Sequence, residues 1–166
     1  MKNNNYCLGS VGTIDIKWNN QVYTFCLHEI DVIKTCINLT SKLISTRPLN
    51  TYGKGPFCKF RIHDHLKEKG LYCFVVDKKL KYIGQTTSTF GQRINAGYGN
   101  ISPYNCYVGG QRTNCHVNSC INDALISNKE VLVGFCAMKD NDKIKKLEKE
   151  LIRANDLVCK GWNLQK

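Results

Sequence analysis

The sequence predicts an α/β fold of the α+β type, with a small central antiparallel or mixed sheet flanked by helices and an N-terminal addition of a β-hairpin and a helix. Short runs in which apolar and polar residues alternate predict strands, and apolar residues at helical spacing predict helices. From Gly70 onward these patterns follow as strand, strand, helix, loop, helix, strand, helix. At 166 residues and 42% hydrophobic content, the chain is long enough to bury a core.

The N-terminal addition, residues 1–69, is predicted to form three elements. Alternation over 13–27 around an Asn-Asn turn predicts a hairpin. Apolar residues at roughly helical spacing predict a helix over about 29–46, which the Arg47-Pro48 pair ends. Alternation over 57–62 predicts a strand. We treat this addition and residues 70–166 as two domains, the first being a packing extension or a surface that contacts a partner.

Residues 70–85, GLYCFVVDKKLKYIGQ, predict a second hairpin with Tyr72 near its start and Tyr82 near its end. Side chains alternate along strands, so a two-residue turn at Asp77-Lys78 would place the two phenols on opposite faces. A shared site therefore requires a three-residue turn or a β-bulge near Lys78-Lys79.

The later part of the chain alternates between helical patterns and strands. A long stretch without clear periodicity is usually functional, and the tyrosines in this one argue against disorder. The remaining predicted elements are a helix over 88–96, a loop over 97–114, a helix over 117–128, a buried strand over 131–137, a helix over 144–154 and a turn at 161–163.

The chain carries a formal net charge of +11, from 24 Lys and Arg against 13 Asp and Glu. This excess favours a polyanionic partner, nucleic acid first and an anionic membrane surface second. No signal peptide or membrane-spanning run is present, so we expect a soluble cytoplasmic protein that does not enter a membrane. In a reducing cytosol, the 10 cysteines are expected to be free thiols or metal ligands.

One carboxylate of the predicted 144–154 helix points inward. At 100° per residue, Glu148 falls inside the apolar stripe, whereas Glu150 falls outside it with the lysines. A buried carboxylate needs a partner, which is either a salt bridge to Arg93 or a lysine, or a metal ion. Arg93 lies three residues after Phe90, beside the inward face of its own helix.

These residues together resemble the GIY-YIG nuclease superfamily. Gly70-Leu71-Tyr72 is followed ten residues later by Tyr82-Ile83-Gly84, and then by Arg93, Glu148 and Asn163 in the family's order. Two such tripeptides with three further residues in order form a specific signal. The resemblance covers about 70–165, and the short chain is similar to the stand-alone, restriction-type branch.

The resemblance implies a divalent-metal-dependent endonuclease that hydrolyses phosphodiester bonds of double-stranded DNA, with Mg²⁺ or Mn²⁺ as cofactor and a possible homodimer. By position, Tyr72 would act near the attacking water, Tyr82 would support that site, and Arg93 would contact the scissile phosphate. Glu148 would hold the metal ion, and Asn163 would brace the fold. A nearby metal ion and guanidinium are expected to lower the pKa of the phenols, whose ordinary value is near 10.

The chain departs from the family at one position. Family members often carry a histidine a few residues after the arginine, whereas this chain has Tyr98 five residues after Arg93. Either Tyr98 substitutes for that histidine or the assistance is absent, and His116 is a weaker candidate from the following loop.

Several polar residues are predicted to contact DNA. The stretch around 111–116 holds residue types that read base edges or bind phosphates, although it could equally be a surface loop held by its tyrosines. Lys81 adjoins Tyr82, and basic residues on the 57–62 strand could line a phosphate track. The predicted DNA-contacting residues are Gln111, Arg112, Asn114, His116, Lys59 and Arg61.

Other functions stay open on the sequence alone. A non-cleaving nucleic-acid-binding module could keep the same scaffold and charge. Cys106, Cys115, His116 and Cys120 could form a zinc site of a structural or regulatory protein, although they lack paired C-x₂-C spacing. The spacing of His63-Asp64-His65 could also bind a metal, although a solvated turn is the simpler interpretation.

Overall fold

The computed structural model describes residues 7–39 and 46–165. Its central sheet has five strands in the order β1-β2-β7-β5-β6, every neighbouring pair being antiparallel, and β3 and β4 form a separate two-stranded sheet. The strands are β1 (Gly12–Trp18), β2 (Gln21–Glu29), β3 (Asp31–Ile37), β4 (Phe57–Arg61), β5 (Gly70–Val76), β6 (Lys79–Thr86) and β7 (Val131–Ala137).

Helices cover both faces of the central sheet, which confirms the predicted α+β class. They are a π-helix (Gly91–Tyr98), a 3₁₀ turn (Pro103–Cys106), α1 (Arg112–Ile126), α2 (Asn141–Ala154) and the short α3 (Leu157–Lys160). The two predicted hairpins, the strand in 57–62, the strand over 131–137 and the helix over 144–154 are confirmed, with shifts at their ends.

The two faces of the central sheet bury different sets of side chains. One face packs the aromatic side chains of β5 and β6 against the π-helix, α1 and β4. The other face packs Leu71, Cys73 and Ile83 against α2 and α3. Because strand residues alternate between faces, the tyrosines share the first face, and α2 lies behind them across the sheet.

The predicted helix over 29–46 is wrong where the structure describes it. Residues 31–37 form β3, which pairs with β4 from Asp31 opposite Arg61 to Ile37 opposite Phe57. This segment is rich in β-branched residues, which pack well on a pleated surface, and two register shifts interrupt its alternation. Because of those shifts, the apolar residues of β3 do not alternate regularly, and their spacing resembles that of a helix. Residues 40–45 lie outside the described part.

The N-terminal hairpin joins the same sheet as the later strands. Strand β2 pairs with β7 from Cys26 opposite Phe135 to Glu29 opposite Leu132. Residues before Gly70 therefore complete the central sheet in addition to forming the β3-β4 sheet. A domain boundary between 1–69 and 70–166 stays a prediction.

The predicted loop over 97–114 contains regular structure, and α1 begins at Arg112, five residues before the predicted helix. The buried face of α1 includes three asparagines at i, i+4 and i+8, namely Asn114, Asn118 and Asn122. Asn118 donates to the carbonyls of Cys58 and Tyr98 and accepts from the Cys58 backbone N–H. A search for apolar periodicity misses a helix face that is buried through hydrogen bonds.

Cysteine use differs from the prediction at one pair. Cys7 and Cys26 form a disulfide, so the expectation that all ten are free thiols or metal ligands is wrong for these two. The other eight are free thiols.

None of the helices in the described ranges is long and apolar enough to span a bilayer.

Candidate functional site

A β-bulge brings the two hairpin tyrosines onto one face. The turn at Asp77-Lys78 has two residues with positive φ angles, 47° and 63°, as a tight hairpin turn requires. The register then shifts between the pairs Phe74–Tyr82 and Val75–Leu80, which leaves Lys81 as the extra residue. The predicted bulge is confirmed, although it lies at Lys81, beyond the predicted Lys78-Lys79.

Glycine at position 84 makes room for one of these tyrosines. Gly84 lies directly opposite Tyr72 in the β5-β6 register, and a Cβ on it would overlap the Tyr72 ring and hydroxyl. The Tyr72 ring therefore lies across β6, which only a residue without a side chain permits. Tyr72 reaches the middle of the tyrosine face for this reason.

Replacing Gly84 by Ala is expected to destabilise the fold by about 1–3 kcal/mol, because overpacking a filled core forces side chains off their rotamers. Urea denaturation followed by circular dichroism measures the change. Gly12→Ala is the matched control, since a Cβ at Gly12, also in a strand, meets nothing within 4 Å. Equal stability of the two variants would contradict the close packing of Tyr72 on Gly84.

The π-helix aligns an arginine with a third tyrosine. Its hydrogen bonds run from residue i+5 to residue i, as between the Gly99 N–H and the Ile94 carbonyl at 2.7 Å. Residues five apart therefore lie above one another, and the Arg93 guanidinium carbon lies 4.5 Å from the centroid of the Tyr98 ring. A regular α-helix would separate them by about 140° around its axis.

Arg93 and the three tyrosines form one buried hydrogen-bond network. The Tyr98 hydroxyl lies 2.9 Å from the hydroxyls of both Tyr72 and Tyr82. Arg93 donates from Nη2 to the Tyr98 oxygen at 2.6 Å and from Nε to the Tyr72 oxygen at 3.0 Å. Its Nη1 donates to Oδ1 of Asn114 at 3.3 Å. We call this set, with Asn114, the tyrosine network.

The number of available protons determines which phenol donates to which in the tyrosine network. Each phenol has one proton to donate, and the Tyr98 oxygen already accepts from Arg93. Tyr72 is fully buried, and its hydroxyl has only Arg93 and Tyr98 as partners among the described residues. Satisfying Tyr72 requires that it donate to Tyr98, which then donates to Tyr82. The Tyr82 proton is left to point outward.

Tyr98→Phe is expected to destabilise the protein by about 1–3 kcal/mol, because the Tyr72 donor and one Arg93 donor lose a buried partner. Thermal and chemical denaturation check this loss. Tyr104→Phe, at a 58% exposed tyrosine, makes the same change on the surface and is expected to be neutral. If Tyr98→Phe is equally neutral, the Tyr98 hydroxyl does not hold the network together.

A pocket of about 230 Å³ lies beside the network. Tyr82, 5% exposed, is one of its lining residues, while Tyr72 is fully buried. The N-terminus of α1, the α2 helix and the C-terminal residues provide the rest of its wall. The polar and charged lining residues are Tyr82, Arg112, Thr113, Glu148, Lys149, Asn163 and Gln165.

Glu148 enters the pocket from α2, in the inward orientation that the helical pattern predicts. Burial raises the pKa of its carboxyl to about 7, against the opposing effects of Arg93, Lys149 and the Gln85 backbone N–H. Within the described ranges it forms no ion pair, so the salt-bridge alternative is not what the structure contains. The buried Gln85 side-chain oxygen likewise has no hydrogen-bond partner there.

The raised pKa of Glu148 sets a pH dependence of stability. Between about pH 4.5 and 7 the folded chain holds a proton that the unfolded chain has lost, so this carboxyl makes stability fall as pH rises through that window. Glu148→Gln removes the effect. Melting temperatures of the variant and the wild type are measured in EDTA at pH 5 and at pH 8. The difference, variant minus wild type, is expected to be larger at pH 8 than at pH 5. An unchanged difference would contradict the buried position.

Burial also raises the pKa of the three phenols. Desolvation is the largest cause for Tyr72, Tyr82 and Tyr98, and the nearby Arg93 charge lowers each pKa by less than burial raises it. Arg93 thus favours the phenolate, as expected, but burial outweighs its effect, so the net pKa of each phenol lies above its ordinary value in the protein alone. At neutral pH these side chains are neutral hydrogen-bond donors.

Asn163 holds the strand that carries Tyr82. Its Nδ2 donates to the Ile83 carbonyl at 2.8 Å, and its Oδ1 accepts from the Ile83 N–H at 3.2 Å. The Trp162 backbone N–H donates to the carbonyl of the bulged Lys81 at 2.7 Å. The C-terminal turn thus fixes β6 at the bulge, and Lys81 itself is half-buried beside the site.

The predicted DNA-contacting residues divide into two groups. Asn114 is 2% exposed and bonds Arg93, so it is an internal support and not a surface contact. The His116 Nε2 bonds the Trp162 carbonyl at 3.0 Å and its ring packs on Tyr52, so it too faces inward. The exposed residues are Gln111, Arg112, Lys59 and Arg61, of which Arg61 bonds Asp31 at 2.9 Å and Arg112 lines the pocket.

The four residues of the predicted zinc site do not come together. Cys106 and Cys115 pack in an apolar cluster with Phe57, whereas His116 turns toward Trp162. Among residues 7–39 and 46–165, no group of three or more His, Cys, Asp and Glu side chains is arranged to hold a metal ion.

Sequence reasoning missed Asn114 as a support of Arg93, although the Asn114, Asn118, Asn122 spacing is itself a helical signal.

Comparison with known proteins leaves the resemblance without independent support. No family model matches the chain, and neither the curated proteins nor the solved structures include a significant match.

Proposed function

We propose that this protein is a divalent-metal-dependent endonuclease that hydrolyses DNA phosphodiester bonds in the manner of GIY-YIG enzymes. The observation that carries the proposal is a pocket lined by Tyr82 and Glu148, backed by the network of Arg93, Tyr72 and Tyr98. Hydrolysis of a phosphodiester needs an activated water and neutralisation of the charge that develops on phosphorus-bound oxygens. Glu148 can hold a metal ion that activates the water, and the positive charges of Arg93 and Arg112 can neutralise the developing charge.

Glu148 fits a magnesium or manganese site. A single carboxylate with water ligands is a usual arrangement for Mg²⁺, which keeps much of its hydration shell. The half-buried Glu148 carboxylate forms no ion pair within the described ranges, which leaves it available to a cation. When bound, such an ion lowers the pKa of a coordinated water and neutralises phosphate charge.

The chain's own residues then have separate roles. Arg93, fixed by the two phenols and Asn114, supplies a positive charge behind the pocket, and the exposed Arg112 supplies a second one at its edge. Tyr82 presents its hydroxyl to the substrate. Tyr72, the family's counterpart of the water-activating tyrosine, acts through Tyr98 in this arrangement because Tyr72 is fully buried.

Double-stranded DNA is the partner that fits the net charge of +11. Exposed Lys59 and Gln111 are candidate contacts to its backbone or bases. A restriction-type role, a homodimer that matches a symmetric target and a cytoplasmic location belong to the same proposal and come from the sequence resemblance.

Incubation of the purified protein with phage-sized DNA and Mg²⁺ or Mn²⁺ tests the proposal. Discrete bands that disappear with EDTA are expected for a restriction-type enzyme, and nicked circles or a smear would indicate a nuclease without that specificity. Intact DNA with both metals, together with tight DNA binding in a gel-shift assay, would overturn the enzyme and favour the non-cleaving binding module.

A further inference from the structure

Two histidines meet on the tyrosine face of the sheet, away from the residues that line the pocket. His28 lies on β2 and is 3% exposed, and His65 lies in the connection between β4 and β5. Their Nε2 atoms are 3.2 Å apart, and both rings pack on Phe135. His65 is held there with a positive φ of 57°, which is uncommon outside glycine.

A carboxylate lies beside the Nδ1 atom of each ring. The His28 Nδ1 lies 3.2 Å from Oδ2 of Asp64, and the His65 Nδ1 bonds Oε2 of Glu68 closely. An ionised carboxylate only accepts hydrogen bonds, so the His65 Nδ1 carries the proton, and a proton on the His28 Nδ1 would likewise face Asp64. With both neutral rings in this tautomer, the 3.2 Å gap between the two Nε2 atoms holds two lone pairs and no proton. A cation that both nitrogens bind fits this arrangement.

We propose that His28 and His65 bind one first-row transition-metal ion of the Zn²⁺ class through their Nε2 atoms. A metal-bound histidine typically donates its other N–H to a carboxylate, as His65 does to Glu68, and Asp64 lies 3.2 Å from the corresponding nitrogen of His28. Two nitrogens about 2.0–2.1 Å from a tetrahedral ion lie about 3.3 Å apart, close to the 3.2 Å between these atoms. Imidazole nitrogen suits zinc, copper and nickel.

Water completes the coordination, because these two side chains are the only protein ligands that the geometry provides among residues 7–39 and 46–165. A shared proton is the competing occupant of the same gap. A metal ion binds only the unprotonated nitrogens.

The ion would join β2 to the segment that supports the π-helix. In that segment the Glu68 carbonyl accepts from the Phe90 N–H at 2.8 Å, and the Leu66 carbonyl accepts from the Gly91 N–H at 3.1 Å. These bonds anchor the first turn of the helix that carries Arg93. The site is independent of the proposed nuclease activity, and it is separate from Glu148.

Zinc titration of the metal-stripped, full-length protein tests the proposal by calorimetry and by two-dimensional NMR of the histidine ring nitrogens. One equivalent of Zn²⁺ is expected, with large shifts of the Nε2 signals of His28 and His65 and unchanged Nδ1 protonation. Glu68→Gln is expected to weaken binding by about 10–100-fold, as for other groups behind a metal ligand. His65→Ala is expected to abolish it.

Two controls locate the ion. His63→Ala removes an exposed histidine of the same connection, which bonds Asp31, and it should bind zinc as the wild type does. Glu148→Gln should also keep this binding, which excludes the pocket. The proposal is overturned if His65→Ala binds zinc normally, or if the Nε2 signals of the wild type respond to pH but not to zinc. The NMR result on the wild type does not depend on a variant folding.

Discussion

Replacement of Glu148 by Gln is expected to abolish Mg²⁺-dependent DNA cleavage and to leave DNA binding within about twofold of the wild type. The amide keeps the size of the side chain but loses the charge that a hard cation requires. Groups that only support a metal ligand are worth 10–100-fold in activity, so loss of the ligand itself should cost more than about 100-fold. Initial rates on plasmid DNA and a gel-shift assay in EDTA measure the two effects.

Glu150→Gln provides the matched control on the same helix. Glu150 accepts a hydrogen bond from the Trp18 indole N–H at 3.0 Å, which a glutamine oxygen can also accept. This variant should cleave as the wild type does. If Glu148→Gln retains more than about a hundredth of the activity, Glu148 is not the metal ligand, since the loss should exceed 100-fold. A cooperative melting transition at pH 8 verifies that the variant is folded.

Replacement of Arg93 by Lys is expected to reduce the cleavage rate by about 10²–10³-fold, the size of effect seen when one preorganised group that stabilises transition-state charge is removed. Lysine keeps the positive charge, but a single ammonium group cannot reproduce the three contacts with Tyr72, Tyr98 and Asn114. The guanidinium fixes the phenols, so the variant should also lose stability. Single-turnover rates at saturating DNA separate the rate from binding.

Arg61→Lys is the control for Arg93→Lys, because Arg61 is exposed and its contact with Asp31 is a surface ion pair. It should change neither rate nor stability measurably. If Arg93→Lys cleaves as fast as Arg61→Lys, then Arg93 contributes only its charge, and the fixed geometry of the tyrosine network is unimportant for cleavage.

Local patterns in the sequence were sufficient for the main parts of the candidate site. The inward position of Glu148 followed from helical periodicity, because α2 is an ordinary amphipathic helix. A shared face for Tyr72 and Tyr82 required a three-residue turn or a bulge, and the structure contains the bulge. In both cases the relevant information lies within one element or one hairpin.

Other features depend on contacts between distant segments, which a local pattern does not contain. Strand β3 forms because β4 pairs with it, and the asparagine face of α1 is buried because the backbone of β4 and the side chain of Arg93 supply its partners. The π-helix brings Tyr98 over Arg93, whereas a regular helical wheel would separate them. His65, in the stretch His63-Asp64-His65, contacts His28, which is far away in sequence.

The C-terminal turn also has a consequence for how copies of this protein behave toward one another. Strand β6 is the last strand of the central sheet, and an unpaired edge is a template on which another chain can add a strand. Asn163 occupies both the N–H and the carbonyl of Ile83, and Trp162 occupies the carbonyl of Lys81. The turn therefore takes the place of a sixth strand at this edge, and it protects the molecule from edge-to-edge aggregation at the point where its pocket opens.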